Sequence, residues 1–256
     1  MNASTMTVLV GRQFRALRAS WATWALAGTA VFFAVLSPIT ARYLPEILGG
    51  LVGGDEALPI DVSALPDPVP ADAWAQWSSN LAQLIIVIVA VVAASAISAD
   101  VSRGTAVPIL ARPVTRTGLW AAAFAAVTVT VAVVTVVSTA LMAGVAAVLF
   151  DDLAASDIGV PAANSALWLL FALSVVAVTM AASGAGASSL GAAAAGIAYF
   201  ALMAVAGMWP VMADWSPAGL LAPVEGTAEG GAIAVTVGVI AAATVAGIAA
   251  FRRREL

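Results

Sequence analysis

Arg103, Arg112 and Arg116 share one stretch, Ser98–Thr117, with Asp100. An arginine guanidinium is a permanent charge with five donors in a planar fork, suited to gripping carboxylates and unsuited to moving protons near neutrality. The chemistry these residues offer is recognition of acidic groups. The rest of the chain keeps to that limit. It has no Cys and no His, so a disulfide, a thiolate nucleophile, an imidazole base and a histidine metal ligand are all ruled out. Every basic residue is arginine. The lysine of a G-x-x-x-x-G-K-[ST] phosphate loop is therefore missing, and the polypeptide is not expected to hydrolyse a nucleotide itself. Asp151-Asp152 reads as part of an acidic solvated loop rather than a metal site. We assign no catalytic residue, bound cofactor or metal ligand.

The stretch around the three arginines is punctuated in a way a plain linker does not need. Gly104 and Pro108 interrupt any continuous helix, and the Arg112-Pro113 step favours an extended turn. Thr115 or Thr117 can cap a helix that follows. Between the breaks, Thr105–Leu110 presents apolar side chains suited to docking in a groove, while the arginines could pair with acidic groups on a cytosolic partner.

The elements that must position this stretch are apolar. Apolar residues make up 62% of the 256-residue chain and charged residues 9%, against roughly 45–50% and about 25% in a soluble domain. Six stretches suit membrane-spanning helices, which need about 20 mostly apolar residues: 21–39, 81–97, 119–150, 166–182, 190–212 and 232–251. None contains an acidic or basic side chain. The third is too long for a straight crossing and must tilt or project. No small-residue cleavage pattern follows the first span, which reads as a signal anchor.

Charges sort by alternate loops. Nine arginines and two acids fall on one side of the spans, giving +7, while Arg42 and twelve acids fall on the other, giving −11; together they make the chain's −4. Basic loops resist translocation. Both termini and the Ser98–Thr117 loop are therefore expected in the cytoplasm, and the 40–80, 151–165 and 213–231 loops outside. Trp21, Trp24 and Trp120 stand at inner span ends, and Trp74, Trp77, Trp168, Trp209 and Trp215 at or near outer ends, as interfacial belts would place them. The 213–231 loop is apolar and turn-rich, consistent with either a re-entrant element or an ordered surface loop.

Residues 2–20 carry Val10, Phe14, Leu17 and Trp21 at helical spacing beside Arg12, Arg15 and Arg18. This reads as an amphipathic helix on the inner leaflet, with membrane lipids as its partner. The fold class expected is an all-α polytopic membrane protein: six transmembrane helices, cytoplasmic termini and an N-terminal interfacial helix, forming one domain over 1–256.

In this layout the inner loop resembles that of the ABC-2-type permeases, the membrane subunits of ATP-binding-cassette exporters. That family often shows a glutamate, three residues, Gly-Thr, a short Leu-rich stretch and Pro-Val-Ser-Arg. The matching positions here are Asp100, Gly104-Thr105, Ile109-Leu110 and Pro113-Val114-Thr115-Arg116. The acid is Asp rather than Glu, and the lysine that often opens the third helix is absent.

The resemblance implies a permease that pairs with a second copy, as a homodimer, around a central cleft. Each copy would meet a separate cytoplasmic ATPase, two in all, which binds the ATP and magnesium. It also implies that loop 98–117, with Asp100, Arg103, Gly104, Thr105, Ile109, Leu110, Pro113 and Arg116, couples to that ATPase beside the interfacial helix. Residues 81–97, 190–212 and 213–231 would line or close the cleft, and no nucleic acid is involved. A cleft without charge suits an apolar or amphiphilic cargo crossing the plasma membrane. Two alternatives are an ion-coupled secondary transporter, disfavoured because the spans hold no acid or histidine, and a non-transporting accessory subunit. An intramembrane enzyme lacks the groups from which to assemble a site.

Overall fold

The structure, a computed structural model, describes residues 3–52, 66–102, 114–150, 158–221 and 226–254. They form α1 (Ala3–Arg18), α2 (Trp21–Val52), α3 (Pro70–Asn80), a π turn at Leu81–Ile85, α4 (Ile86–Ser102), α5 (Arg116–Leu149), α6 (Gly159–Gly184), α7 (Ser189–Ala206), a short α8 (Pro210–Trp215), a 3-10 turn at Pro217–Leu220, and α9 (Gly230–Arg253). No β-strand occurs among the described residues. Six helical rods, Trp21–Gly49, Pro70–Ser98, Arg116–Leu149, Gly159–Gly184, Ser189–Ala206 and Gly230–Arg253, are long and apolar enough to cross a membrane. The protein is an all-α multi-pass membrane protein, as only helices closing their own backbone hydrogen bonds can be in lipid without forming a barrel.

The spans match the expected six, with different ends. Residues 40–52 and 70–80, read from sequence as outer loop, are helical. The first span runs on through Pro38 and Pro45. Proline removes a backbone donor and crowds the preceding turn; in that same turn Ser37 Oγ donates to the Phe33 carbonyl at 2.6 Å. α3 starts with Pro70 at its first position, and the Asp72 carboxylate accepts from Val69 N at 3.0 Å. The third span is one uninterrupted 34-residue helix, roughly 51 Å at 1.5 Å per residue. The fifth stops at Ala206, short of the expected Met212, because Pro210 opens a separate helix.

That helix and the 3-10 turn fold back on the ends of α6, α7 and α9. Gly219 and Gly231 permit this: a Cβ at Gly219 would lie 2.1 Å from the Ala213 carbonyl oxygen, and one at Gly231 would lie 2.8 Å from that of Asp214.

α4 and α6 occupy the centre, with Val89, Val92, Phe171, Val175 and Val176 fully enclosed. α7 and α9 lie at the periphery. One end of the bundle is fastened by polar side chains: Trp77 Nε1 donates to Ser165 Oγ at 3.2 Å, Thr139 Oγ1 donates to the same oxygen at 2.9 Å, and Asn80 Nδ2 donates to Ser37 Oγ at 3.0 Å. Buried Trp74, Trp77, Trp120 and Trp168 are packing anchors, not the lipid-facing belt expected of them. Trp21, Trp24, Trp209 and Trp215 are the exposed ones. Sequence position along a span does not distinguish a ring turned to lipid from one turned to a neighbouring helix.

α1 is amphipathic in a way the expected stripe only half captures. Leu9, Gln13 and Leu17, one turn apart, are buried, whereas Val10 and Phe14 are partly covered and Trp21 is exposed. Much of its inner face rests on α5, with a smaller contact to α4. Arg15 and Arg18 are exposed, Arg12 half-buried. The α1–α2 junction is fixed by Trp24 Nε1, which donates to the Arg18 carbonyl at 2.9 Å.

Candidate functional site

The arginine-rich segments converge at the end opposite Trp77 and Ser165. α2 begins here, α4 ends here, α5 begins, α6 ends and α9 ends. Acids with described side chains, Glu46, Asp67, Asp72, Asp214 and Glu229, lie in or beside elements at the other end. Among the described residues the alternation of charge along the chain is thus a separation of charge across the bundle, with Arg42 the exception at the acidic end.

The first turn of α5 is the centre of this end. Thr115 is its N-cap, its hydroxyl accepting from Gly118 N at 3.1 Å. Five residues on, Trp120 is wedged between α6 and α9. A Cβ at Gly247 would lie 2.8 Å from Trp120 Cζ2 and 3.0 Å from the Ala181 Cα, and one at Gly184 would lie 2.7 Å from the Gly247 carbonyl oxygen. Glycine at both positions is required for three helices to meet around one indole, in the small-residue packing common in membranes. The Trp120 ring stacks on Phe124 with centroids 5.3 Å apart, while its Nε1 has no hydrogen-bond partner.

This packing brings the end of α9 to Arg116. Arg116 Nη1 donates to the Arg252 carbonyl at 3.0 Å and also to the Arg254 carbonyl. The last carbonyls of a helix lack intrahelical donors and stand at the negative end of its dipole. A guanidinium is therefore a fitting C-cap, here supplied from another helix.

Arg254 in turn reaches α6. Its Nη1 donates to the Ser183 carbonyl at 3.1 Å. α6 closes with the paired bonds of a Schellman cap: Ala187 N to the Ala182 carbonyl at 3.1 Å and Gly186 N to the Ser183 carbonyl at 3.3 Å. Gly186 has φ +107, a conformation that glycine adopts without the Cβ penalty. Ser188 then caps α7 by accepting from Gly191 N at 3.1 Å. The uncharged 183–189 segment is thus a tight, fully capped turn. The Ser98 hydroxyl of α4 lies against it, donating to Ser183 Oγ and to the Ala187 carbonyl, both at 3.3 Å.

Of the residues expected to couple to a partner, Arg116 is placed, and it binds carbonyls of its own chain. Asp100 is in the last turns of α4. Arg103, Gly104, Thr105, Ile109, Leu110 and Pro113 lie outside the described residues. Arg12, Phe14, Arg15, Leu17 and Arg18 are on α1, with Phe14 and Leu17 turned towards the bundle and Arg15 and Arg18 away from it. Sequence reading passed over Ser98 and Ser183, and it gave Arg254 a role in orientation alone. Hydroxyls are common enough in apolar helices that nothing in their spacing singles these two out.

The helices expected to line a cleft, α4 and α7, pack directly on one another through Ala94, Ala192 and Ala193. A mixed pocket of about 450 Å³ lies between α2 and α3 at the far end, lined by Thr40, Leu44, Pro45, Asp72, Gln76 and others. Among the described residues no three His, Cys, Asp or Glu side chains gather in a way that could hold a metal ion.

No curated protein matches the chain in sequence. A family model described as a protein of unknown function, DUF2705, matches residues 63–256. The matched region takes in α3 to α9 and with them the whole Arg116–Arg254–Ser183 junction. The chain belongs to the DUF2705 family.

Proposed function

We propose that this protein is the membrane-spanning permease subunit of an ATP-binding-cassette exporter, working as a homodimer in the cytoplasmic membrane with both termini inside. It moves an apolar or amphiphilic substrate, and a separate ATPase supplies the energy. The observation that carries this reading is the placement of one motif. Asp100, Gly104-Thr105 and Pro113-Val114-Thr115-Arg116 span the connection between the second and third membrane rods. That connection opens on the bundle end where the arginine-bearing C-terminus is fastened. A cytosolic motor would find its docking loop there, beside a charge of the right sign for staying inside.

Composition supports the division of labour. The chain has a punctuated, arginine-bearing loop to receive mechanical work and no phosphate-binding lysine with which to harvest ATP. Between Ser79 and Ile97 and throughout α6 the central rods carry no acid or histidine, the groups through which a proton or sodium gradient is commonly coupled.

The test is reconstitution. The chain is co-expressed with candidate ATPase subunits, purified by its own tag and placed in liposomes. ATPase copurification and hydrolysis that depends on the permease are expected, with loss on substituting Asp100 or residues of 103–113. Absence of any copurifying ATPase, or coupling indifferent to those substitutions, would overturn the proposal.

A further inference from the structure

The described residues on either side of 103–113 are linked by hydrogen bonds. Ser98, on the last turns of α4 ahead of it, bonds to Ser183 and to the Ala187 carbonyl. Ser183 presents its own carbonyl to Arg254. The Arg254 carbonyl accepts from Arg116, the first residue of α5 beyond the loop. The path from loop entry to loop exit therefore runs through the turn ending α6 and through the end of α9. Its longest sequence jumps, 98 to 183, 183 to 254 and 254 to 116, leave it no covalent shortcut.

We infer that Arg254 and Arg116 are positioning residues: together they clamp the start of α5, the first described helix after residues 103–113, to the ends of α6 and α9, so that the C-terminal segment sets where α5 begins relative to α4. This rests on the permease reading for its functional consequence and revises one part of the expectation behind it. Arg116 acts inward, as a strut, rather than outward as a contact to a partner's carboxylate. Three physical arguments support the assignment. Arg116 meets two carbonyls at a helix C-terminus, where a cation is favoured by the dipole as well as by hydrogen bonding. Trp120, Gly184 and Gly247 hold the backbones of α5, α6 and α9 in contact, so the arginine reaches carbonyls already in place. Arg254 both accepts through its backbone and donates through its side chain, which makes it the shared member of two bonds and the point at which cutting the chain separates the loop's two edges.

The test uses the full-length chain with its partner and two readouts. The variants are Arg116→Gln, Arg254→Gln, a chain ending at Arg253, and Arg116→Gln combined with that truncation. The first readout, independent of any partner, is hydrogen exchange of the first turn of α5 in detergent or nanodiscs. Arg116→Gln is expected to speed it by about tenfold, the size of a lost charge-assisted bond, the truncation by less because the Arg252 carbonyl remains, and the combined variant by no more than Arg116→Gln alone. Arg254→Gln keeps the carbonyl and is expected to give a smaller rise. The second readout is ATPase copurification and permease-dependent hydrolysis, expected to fall in the same non-additive pattern.

Unchanged exchange in both single variants, or effects that multiply in the combined one, overturns the inference. So does a coupling loss in Arg116→Gln that exceeds the truncation's while exchange is normal, because that is the signature of an outward contact. If the unmodified chain binds no ATPase, the permease reading fails, and the exchange pattern still decides whether the clamp exists.

Discussion

Gly196 on α7 faces Thr179 on α6 so closely that a Cβ built on the glycine would lie 2.0 Å from the threonine Oγ1 and 3.2 Å from the Ala90 Cβ of α4. The helices α4, α6 and α7 thus share one point at which no side chain fits. Gly196→Ala is expected to destabilise the protein by about 1–3 kcal/mol, the cost of overpacking, lowering the detergent melting temperature followed by size-exclusion profile. Thr179 Oγ1 is buried without a hydrogen-bond partner. Thr179→Ala should therefore be well tolerated by itself and should restore most of the stability when combined with Gly196→Ala. A double variant as unstable as Gly196→Ala alone would show that the clash is not the cause.

Trp77 separates ring packing from hydrogen bonding. Its ring is enclosed and its Nε1 donates to Ser165. Trp77→Phe should cost about 1 kcal/mol, the scale of one hydrogen bond, and Trp77→Ala about 3–5 kcal/mol, the scale of an emptied aromatic site. Equal melting temperatures for the two variants would place Trp77 outside the core.

Ser37 and Asn80 join the first two spans near the bundle end that holds Trp77 and Ser165. A double-mutant cycle with Ser37→Ala and Asn80→Ala should return a coupling energy of about 0.6 kcal/mol, the average found for such pairs in membranes. Zero coupling would mean that each residue finds an equivalent partner when the other is removed.

The division of the tryptophans predicts a fluorescence pattern. In single-tryptophan variants reconstituted with brominated lipids, Trp209 and Trp215 should be quenched, and Trp120 and Trp168 should not, since the former pair is exposed and the latter enclosed. Uniform quenching would restore the lipid-facing belt that sequence position alone suggests.

Orientation is accessible because the chain lacks cysteine. Ser102→Cys should resist a membrane-impermeant thiol reagent in intact cells and react after permeabilisation, while Asp67→Cys reacts at once. The reverse pattern would invert the topology and remove the loop from reach of any cytosolic motor.

The spans were legible because an uncharged run of sufficient length has few alternatives in a chain this apolar. Their ends were less so. Hydropathy stops where Arg42, Glu46 and Asp72 begin, but a helix need not stop where the lipid does, and α2 and α3 continue past those charges. Proline misled in both directions: Pro38 and Pro45 lie inside a helix, whereas Pro210 opens a new one. The difference lies in what precedes each proline, an unbroken helix before Pro38 and Pro45 and the break at Gly207–Trp209 before Pro210, and not in proline itself. In α1 the helical period was evident, yet the face chosen was offset from Leu9, Gln13 and Leu17, because arginines on a short helix crowd more than one reading of its apolar side. At the junction, the sequence showed that Arg116 and Arg254 were basic. It did not show that they meet, which depends on Trp120 fitting between Gly184 and Gly247.

The π turn at Leu81–Ile85 gives the second rod a property that straightness conceals. An i→i+5 turn contains one residue more than its i→i+4 counterpart, and one residue is about 100° of helical phase. Everything from Pro70 to Asn80 is therefore turned about the axis relative to Ile86–Ser102. The first part is keyed to Ser37 and Ser165, and the second to the packing of α6 and α7. One rod thus carries two angular registers. Relaxing that turn to ordinary α-helix would swivel one half against the other like a screw in its thread, with no bend and no gap in the backbone ladder. With the π turn in place, each half keeps its own partners while presenting a different face, which a rod of a single register would not allow.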